Sequence, residues 1–401
     1  MKASIVIPSY NAEERLKLNL IALNNQDYDG DAEVIVVDNG SKDNTMKLVE
    51  NFKLKYPLTA LRVEKNKGIA NARNYGISRA KGEVLIFHDS DMIASESFLT
   101  QHISAHTSDD IVVCGLFWQR IFTYYYEDFT EERKNSIETY TNSFKKQKLK
   151  DKSLIIPNAE KMSFHELEQH SFELENDFIT GTKQILQRYG TLEDYPIPWR
   201  FFITNTLSVL RSRVMTVGML DDKIIKYGFE DYDLGYRLFK DGLKIVFAKD
   251  IVSLHQEHPQ NYIYHDVVEN INYICDKYDD TEYIDMQLVC LGECVQLDGD
   301  KLDDIVKEVQ QITLKKQHEI LLELYLLLLR TFRAKCFRET EIDIDENFLR
   351  IARDMPNIVP AVLVLWHSHE ADTFITHLCN MLRHLYKINL DEIIGMELHY
   401  D

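Results

Sequence analysis

Two aspartates two residues apart follow an apolar run in the first quarter of the chain. Asp89 and Asp91 flank Ser90, and only His88 separates them from the run 83–87. Carboxylates on one exposed turn can hold a hard divalent cation such as Mn²⁺ or Mg²⁺, and such a cation often also binds substrate phosphates. Because an isolated Asp-x-Asp is common on solvated turns, the surrounding sequence has to decide whether this pair forms a site.

A second acidic pair lies in the second half of the chain. Glu230 and Asp231 follow Gly228 and open a segment that carries Leu234 and Leu238 at helical spacing. A carboxylate at this place could accept a proton from a substrate hydroxyl. The same pair could instead match the positive end of a helix dipole.

The first 115 residues alternate between strand and helix patterns, which predicts an α/β fold with a mostly parallel sheet and helices on both faces. Short apolar runs predict strands at 4–7, 33–37, 61–63, 83–87 and 111–114. Asn11 and Glu14 match a capping box at the start of the first helix.

Polar or small residues follow three of these strands, at 8–11, 38–41 and 88–91. Ligands bind beyond the carboxyl ends of the strands in such sheets, so we expect the three turns to lie side by side. Asp38 would then be placed to accept a hydrogen bond from a nucleobase. Arg73, on a helix predicted over 68–80, could meet a base or a phosphate.

The order and spacing of these segments resemble the inverting glycosyltransferases of family 2, which have a GT-A fold. The matching segments are 4–11, 36–45, 66–74, 89–91 and, in the second half, 228–231. The resemblance covers about 1–118 and 199–260, so it predicts a GT-A domain over 1–260 with an insertion at 119–198. It covers neither that insertion nor 262–401.

The resemblance implies a nucleotide-diphosphate sugar donor, most often a UDP-sugar, and a Mn²⁺ or Mg²⁺ cofactor. Asp91 would hold the metal with Asp89 nearby, and His255, or else His258, would complete the ligand set. The residues of the donor site would be Pro8, Tyr10, Asn11, Asp38, Asn66, Gly68, Arg73, Asp89 and Ser90.

The resemblance also implies a catalytic base and an acceptor side. Asp231 occupies the position of the usual base, and Glu230 is the alternative. One base opposite a metal-stabilised diphosphate leaving group gives a single displacement with inversion. Trp199 and Asn205 resemble the acceptor-side segment of the family, where an aromatic face can stack on a sugar.

The insertion lies between the acidic turn and the base, so we expect it to be largely helical and to build or cover the acceptor cleft. It contains Phe122, Tyr124, Tyr125, Tyr126, Phe129, Lys145, Lys146, Lys148, Lys150 and Lys152. The aromatic residues suit sugar rings and the lysines suit an anionic acceptor. A glycan, a lipid-linked precursor and a peptide all remain open as acceptors, as does an insertion that only packs on the sheet.

The last third of the chain differs in charge and pattern. Residues 261–401 hold 27 of the 65 acidic and 13 of the 46 basic residues, a net charge of −14 against −5 for 1–260. Leu-rich spacing without strand signals predicts an α-helical domain over 262–401, with the apolar 320–329 buried or paired with another chain. We expect this domain to serve oligomerisation or partner docking. The acidic balance argues against nucleic-acid binding.

No secretory or membrane signal is evident. The apolar 3–7 lacks a preceding basic region, and no apolar stretch approaches the ~20 residues of a membrane span. The cysteines are Cys114, Cys275, Cys290, Cys294, Cys336 and Cys379. Their scattered spacing predicts buried free thiols rather than disulfides or zinc ligands. We therefore expect a cytoplasmic protein, with peripheral association at the inner membrane face left open.

Two other functions remain as alternatives. A nucleotidyltransferase that makes the sugar nucleotide usually carries a Gly-rich basic loop after the first strand, where this chain has residues 9–13. A non-catalytic sugar-nucleotide-binding protein would not need both acidic pairs.

Overall fold

The computed structural model describes residues 2–140, 149–259, 263–292, 299–316, 318–337 and 344–390. The chain forms two compact units, residues 1–267 and 268–401.

The first unit is built on one sheet of ten strands. The strands are β1 Ala3–Ser9, β2 Ala32–Asp38, β3 Leu58–Arg62, β4 Val84–His88, β5 Met92–Ala94, β6 Ile111–Leu116, β7 Gln119–Ile121, β8 Phe172–Glu173, β9 Thr206–Leu210 and β10 Lys244–Gln256. Their order is β3-β2-β1-β4-β9-β6-β10-β7-β8, and β5 pairs with β10. Five of the nine strand pairings among the described residues are parallel, which makes the sheet mixed.

Helices cover both faces of this sheet. They are α1 Glu13–Asn24, α2 Thr45–Asn51, α3 Ile69–Arg79, α4 Phe98–Ala105, α5 Glu131–Tyr140, α6 Phe164–Glu168, α7 Asp177–Tyr189, α8 Arg211–Thr216 and α9 Glu230–Lys240. Every residue of β1, β2 and β4 is buried, as expected for strands covered on both sides. Gly76 lets α3 approach β1, because a Cβ there would lie 2.6 Å from a Val6 methyl. The predicted α/β class is confirmed.

Two local predictions were wrong. Asn11 does not cap α1: the helix has Ala12 as its N-cap without a side-chain bond, and the Asn11 carboxamide accepts from the Lys42 N–H at 2.8 Å. The third strand is Leu58–Arg62 rather than 61–63. β10 is a single long strand of 13 residues that carries His255 next to its last residue.

The insertion has its own hydrophobic core, which includes four of the predicted sugar-facing aromatic residues. Phe122, Tyr124, Tyr126 and Phe129 are each no more than 6% exposed. They pack with residues of α1, β5 and β10. Stacking of a sugar on these four rings is therefore a wrong expectation, because their faces are already covered by protein.

The lysine-rich part of the insertion is only partly described. Lys145, Lys146 and Lys148 lie outside the described residues. Lys152 forms an ion pair with Glu14 at 2.8 Å. The described part therefore gives no cluster of lysines for an anionic acceptor.

The second unit is built from helices, with no strand among its described residues, as predicted. The helices from 264 onward are α10 Tyr264–Lys277, α11 Ile284–Leu291, α12 Gly299–Lys315, α13 Glu319–Phe337, α14 Ile344–Ser368 and α15 Asp372–Tyr386. Residues 321–322 and 324–329 of α13 are buried, which confirms the predicted burial of this apolar helix. Across the described chain, no helix combines the length and apolar character required to cross a membrane.

Most of the thiols behave as predicted. Cys114, Cys275, Cys290 and Cys379 are buried and form no disulfide among the described residues. Cys336 forms none there either but is exposed, so its predicted burial was wrong. Cys294 lies outside the described residues.

Candidate active site

The three polar turns lie side by side at one edge of the sheet, as predicted. β1 pairs in parallel with both β2 and β4. Ser9 lies opposite Asp38 in this register, and the Asn39 N–H donates to the Ser9 carbonyl at 2.8 Å. The turns that follow these strands therefore share one edge.

A cavity of about 470 Å³ opens at this edge. Its lining comprises Pro8, Ser9, Tyr10, Arg15, Asn39, Asn66, Gly68, Ile69, Asp89, Ser90, Asp91, Ile225, Lys226, Tyr227, His255, His258 and Pro259. Most of the residues predicted for the donor site and the metal are in this set. Asn11, Asp38 and Arg73 are not.

Close backbone packing fixes the start of α3 against the loop before α9. Gly68 has φ +90°, and a Cβ there would lie 2.6 Å from the Ile225 carbonyl oxygen. The Asn39 amide donates to the Asn66 side chain at 3.0 Å and to the Gly68 carbonyl at 3.1 Å. Only glycine fits this position without displacing the loop.

Arg73 joins the two acidic pairs. Its guanidinium is 2% exposed and bonds Asp89 at 2.8 Å and Glu230 at 3.0 Å. Both terminal nitrogens are thus bonded to carboxylates of the protein rather than presented to a base or phosphate. Because residues 89 and 230 are far apart in sequence, this one side chain holds the acidic turn next to the start of α9.

Glu230 and Asp231 have different environments, although they are neighbours. Glu230 is buried, and its second oxygen accepts from the Gly228 N–H at 3.1 Å, so both of its oxygens are bonded. Asp231 is half-buried. Burial, reinforced by the charge of Glu230 and opposed by Arg73, raises the pKa of Asp231 to about 7. Such a carboxylate is suited to general-base chemistry near neutral pH.

Asp91, His255 and His258 form a cluster that could hold a metal ion. One ligand atom from each lies within 4.8 Å of the others. Asp91 lies 2.9 Å from His258 Nε2 and 3.8 Å from His255 Nε2, so both candidate histidines come to it. Asp89 is not in this cluster; its carboxylate bonds Arg73.

The chemistry of this cluster fits a divalent cation. Asp91 Oδ1 and His255 Nδ1 are buried without a hydrogen-bond partner among the described residues. Burial, with the nearby charge of Arg120, lowers the pKa of His255. Although burial opposes it, His255 and His258 hold the pKa of Asp91 well below its usual range. An ionised carboxylate with a neutral imidazole is the state that binds a metal.

Asp38 lies beside the cavity rather than in its lining. It is fully buried, its Oδ1 accepts from the Ser41 N–H at 2.9 Å, and its Oδ2 lies 3.7 Å from Arg62. Asp38 therefore shapes the 38–41 turn.

Neither residue predicted for the acceptor side faces an open surface. Trp199 is 0% exposed and packs edge-on against Tyr232 and Tyr236. Asn205 is 9% exposed. The prediction that Trp199 stacks on a sugar was wrong, because its ring is part of the core beneath α9.

Sequence reasoning missed several charged and polar residues around the metal cluster. Arg15 lines the cavity, and Gln256 bonds the carbonyl of Arg15 at 2.9 Å. Glu257 is buried and pairs with Arg120 and Arg133 of the insertion. The polar run 255–258 after an apolar strand segment was a usable signal. For Arg15 the sequence offered no such signal, since it occupies an ordinary position in a predicted helix.

Comparison with known proteins supports the resemblance. A family model described as glycosyl transferase family 2 matches residues 4–170. An uncharacterized glycosyltransferase, YfnE of Bacillus subtilis (strain 168), is 43% identical over 338 residues, 84% of each chain. Chondroitin synthase of Escherichia coli is 27% identical over 64% of this chain, which spans only 35% of that protein.

Among solved structures, S. aureus TarS 1-349 in complex with UDP-GlcNAc aligns with a TM-score of 0.46 and 15% identity, over 100% of this chain and 94% of that chain. With 43% identity to a named glycosyltransferase along most of its length, and with the family motifs gathered at one edge of its sheet, the chain belongs to glycosyl transferase family 2 and is a glycosyltransferase.

Proposed function

We propose that this glycosyltransferase is metal-dependent and inverting, and that it moves a sugar from a UDP-sugar to a hydroxyl of its acceptor. The bridge formed by Arg73 between Asp89 and Glu230 carries the proposal. Asp91 of the metal cluster lies two residues after Asp89, and Asp231 directly follows Glu230. The bridge therefore brings the proposed metal site and the proposed base to the same edge of the sheet.

Asp91, His255 and His258 would hold the cation. When bound, it would supply positive charge that stabilises the diphosphate leaving group. Two of the three ligands are imidazole nitrogens, which favours Mn²⁺ over Mg²⁺ because Mg²⁺ prefers oxygen ligands throughout.

Asp231 would take the proton from the attacking hydroxyl of the acceptor. Glu230 positions it, since both Glu230 oxygens are bonded to Arg73 and Gly228. With a single carboxylate in this role, the donor is displaced once, and the anomeric configuration is inverted.

The names of relatives favour a carbohydrate-type acceptor over a peptide. A chondroitin synthase aligns over 64% of this chain. A poly(ribitol-phosphate) β-N-acetylglucosaminyltransferase of Staphylococcus aureus is 34% identical over 28% of it. We therefore propose a glycan, a polyol-phosphate chain or a lipid-linked precursor as acceptor.

The reaction is tested with purified full-length protein, a panel of UDP-sugars and Mn²⁺, with UDP release as the readout and mass spectrometry on candidate acceptors. We expect UDP release with one donor, and a loss of about 10³-fold or more in Asp231→Asn. Asp241→Asn is the matched control, because Asp241 lies exposed just past the other end of α9. Full turnover in Asp231→Asn would overturn the base, and nucleotide binding without release would favour a non-catalytic binding protein.

Metal binding is tested separately by titration of Mn²⁺ in the absence of nucleotide. We expect Asp91→Asn and His258→Ala to weaken Mn²⁺ binding by about tenfold or more. His165→Ala, which removes an exposed histidine of the insertion, should leave it unchanged. Equal Mn²⁺ affinity in all variants would contradict this ligand set.

A further inference from the structure

Arg15 is a buried cation in the wall of the cavity, next to the metal cluster. We infer that its guanidinium binds the diphosphate of the donor nucleotide and compensates the charge that develops on the leaving group. This inference rests on the proposed function and adds a residue that the family motifs do not include.

The side chain of Arg15 is held in place from two sides. Its Nη1 donates to the Tyr126 hydroxyl at 3.1 Å and its Nη2 to the Asn11 carbonyl at 3.2 Å. Its guanidinium also lies 5.6 Å from the centre of the Tyr126 ring. Arg15 as a whole is 9% exposed, and its Nε is buried without a hydrogen-bond partner among the described residues.

The backbone of Arg15 is tied to the metal cluster through Gln256. The Gln256 side chain donates to the Arg15 carbonyl at 2.9 Å, and the Gln256 N–H donates to the Asp91 carbonyl at 2.8 Å. Gln256 directly follows His255 in β10. One residue therefore sets the position of the Arg15 backbone relative to two of the proposed metal ligands.

The charges of the cavity leave a role for this cation. The described lining residues include one arginine, Arg15, and one lysine, Lys226. Lys226 forms an ion pair with Asp266 at 3.0 Å. No described carboxylate forms a salt bridge with Arg15; its named partners are a carbonyl and a hydroxyl. The Arg15 charge acts on Asp91 of the metal cluster without direct contact, and phosphate oxygens match the donors of the guanidinium.

The leaving group makes the greatest demand on such a residue. When the bond from the sugar to the β-phosphate breaks, its electron pair stays on the phosphate oxygen, which gains one negative charge. A divalent cation alone does not neutralise the resulting UDP. Arg15 should therefore contribute more to UDP binding than to UMP binding, and nothing to uridine binding.

The test measures binding of uridine, UMP and UDP to the full-length protein by calorimetry, with Mn²⁺ and in EDTA. In Arg15→Gln we expect UDP affinity to fall by about tenfold or more under both conditions, and uridine affinity to stay within about twofold. The UDP affinity of Arg15→Lys should lie between those of the wild-type protein and Arg15→Gln, since lysine keeps the charge but not the planar donors. Lys17→Gln is the matched control. It removes a positive charge from the same helix, but Lys17 pairs with Glu160 and does not line the cavity.

Each outcome decides the matter. Unchanged UDP affinity in Arg15→Gln, or an equal loss for uridine and UDP, overturns the inference, because the first shows no contact and the second a general structural effect. A loss confined to Mn²⁺ conditions also overturns it, since Arg15 would then act through the metal. If the wild-type protein binds no UDP, the proposed function fails. If the wild-type protein binds UDP and Arg15→Gln binds it equally well, only this inference fails.

Discussion

The strand-end turns and the insertion of the first unit bury different kinds of side chain. Charged groups satisfy one another around the turns, as Arg73 of α3 does with Asp89 and with Glu230 of α9. The described insertion buries mainly aromatic and aliphatic groups around Phe122 and Phe129. Buried ion pairs contribute little net stability yet are costly to break, whereas buried apolar area stabilises directly. The turns are thus organised for chemistry and the insertion for support.

The two regions nevertheless meet at particular residues. Tyr126 of the insertion bonds Arg15 in the cavity wall. Arg120 and Arg133 of the insertion pair with Glu257, which lies between the two histidines of the metal cluster. The insertion therefore also positions charged groups of the site.

The largest effect should come from removing the shared cation. Arg73→Met leaves Asp89 and Glu230 without their counter-ion, so we expect the free energy of unfolding to fall by about 3–5 kcal/mol. We also expect UDP release to be lost, because the two acidic turns would separate. Chemical denaturation and the UDP-release assay measure the two effects, with Arg79→Met at the exposed end of α3 as control. A stable variant with normal transfer would remove the basis for a shared site.

A core substitution in the insertion should destabilise the protein but leave its affinity for UDP nearly unchanged. Phe122 is 1% exposed and stacks on Phe172, so Phe122→Ala should cost about 3–5 kcal/mol by leaving a cavity. In the folded variant we expect the UDP affinity to stay within about threefold, because Phe122 is not in the cavity lining. Denaturation with parallel UDP titration checks this. A variant of unchanged stability with weakened transfer would show that this ring meets substrate after all.

The smallest effect concerns the protonation of Asp231. Its folded pKa of about 7 is above that of a free aspartate, so the folded state holds this proton more tightly than the unfolded chain. Its contribution to stability is complete at acid pH and is lost as the pH rises through 7. Between pH 5 and pH 8, the free energy of unfolding of Asp231→Asn should rise by about 1–2 kcal/mol relative to that of the wild-type protein. This is less than the full pKa shift would give, because the side chain is partly exposed.

The same titration controls the rate. Transfer by the wild-type protein should rise with pH through about 7, since the base must be deprotonated. Stability curves of both proteins at several pH values, with rates over the same range, give the measurement. A wild-type rate that is independent of pH from 5 to 8 would count against Asp231 as the base.

Much of the site was predictable because parallel strands align their carboxyl ends. The apolar runs at 4–7, 33–37 and 83–87 became β1, β2 and β4, and their polar turns met at one edge as expected. The acidic pairs were recognisable by residue type and spacing. The sequence could not decide between His255 and His258, since both lie near the end of one strand. Only the course of that strand shows that both lie close to Asp91.

The sequence by itself determined the α/β alternation, the location of the polar turns, the helical character of the described second unit and the family. Tertiary structure alone decided that Arg73 bonds two carboxylates, that Trp199 and the aromatic residues of the insertion are core, and that Arg15 faces the cavity. The physical reason is that strand and helix patterns are local. Whether a ring or a guanidinium is covered, paired or exposed depends on segments distant in sequence, as with Arg15 and Tyr126, 111 residues apart.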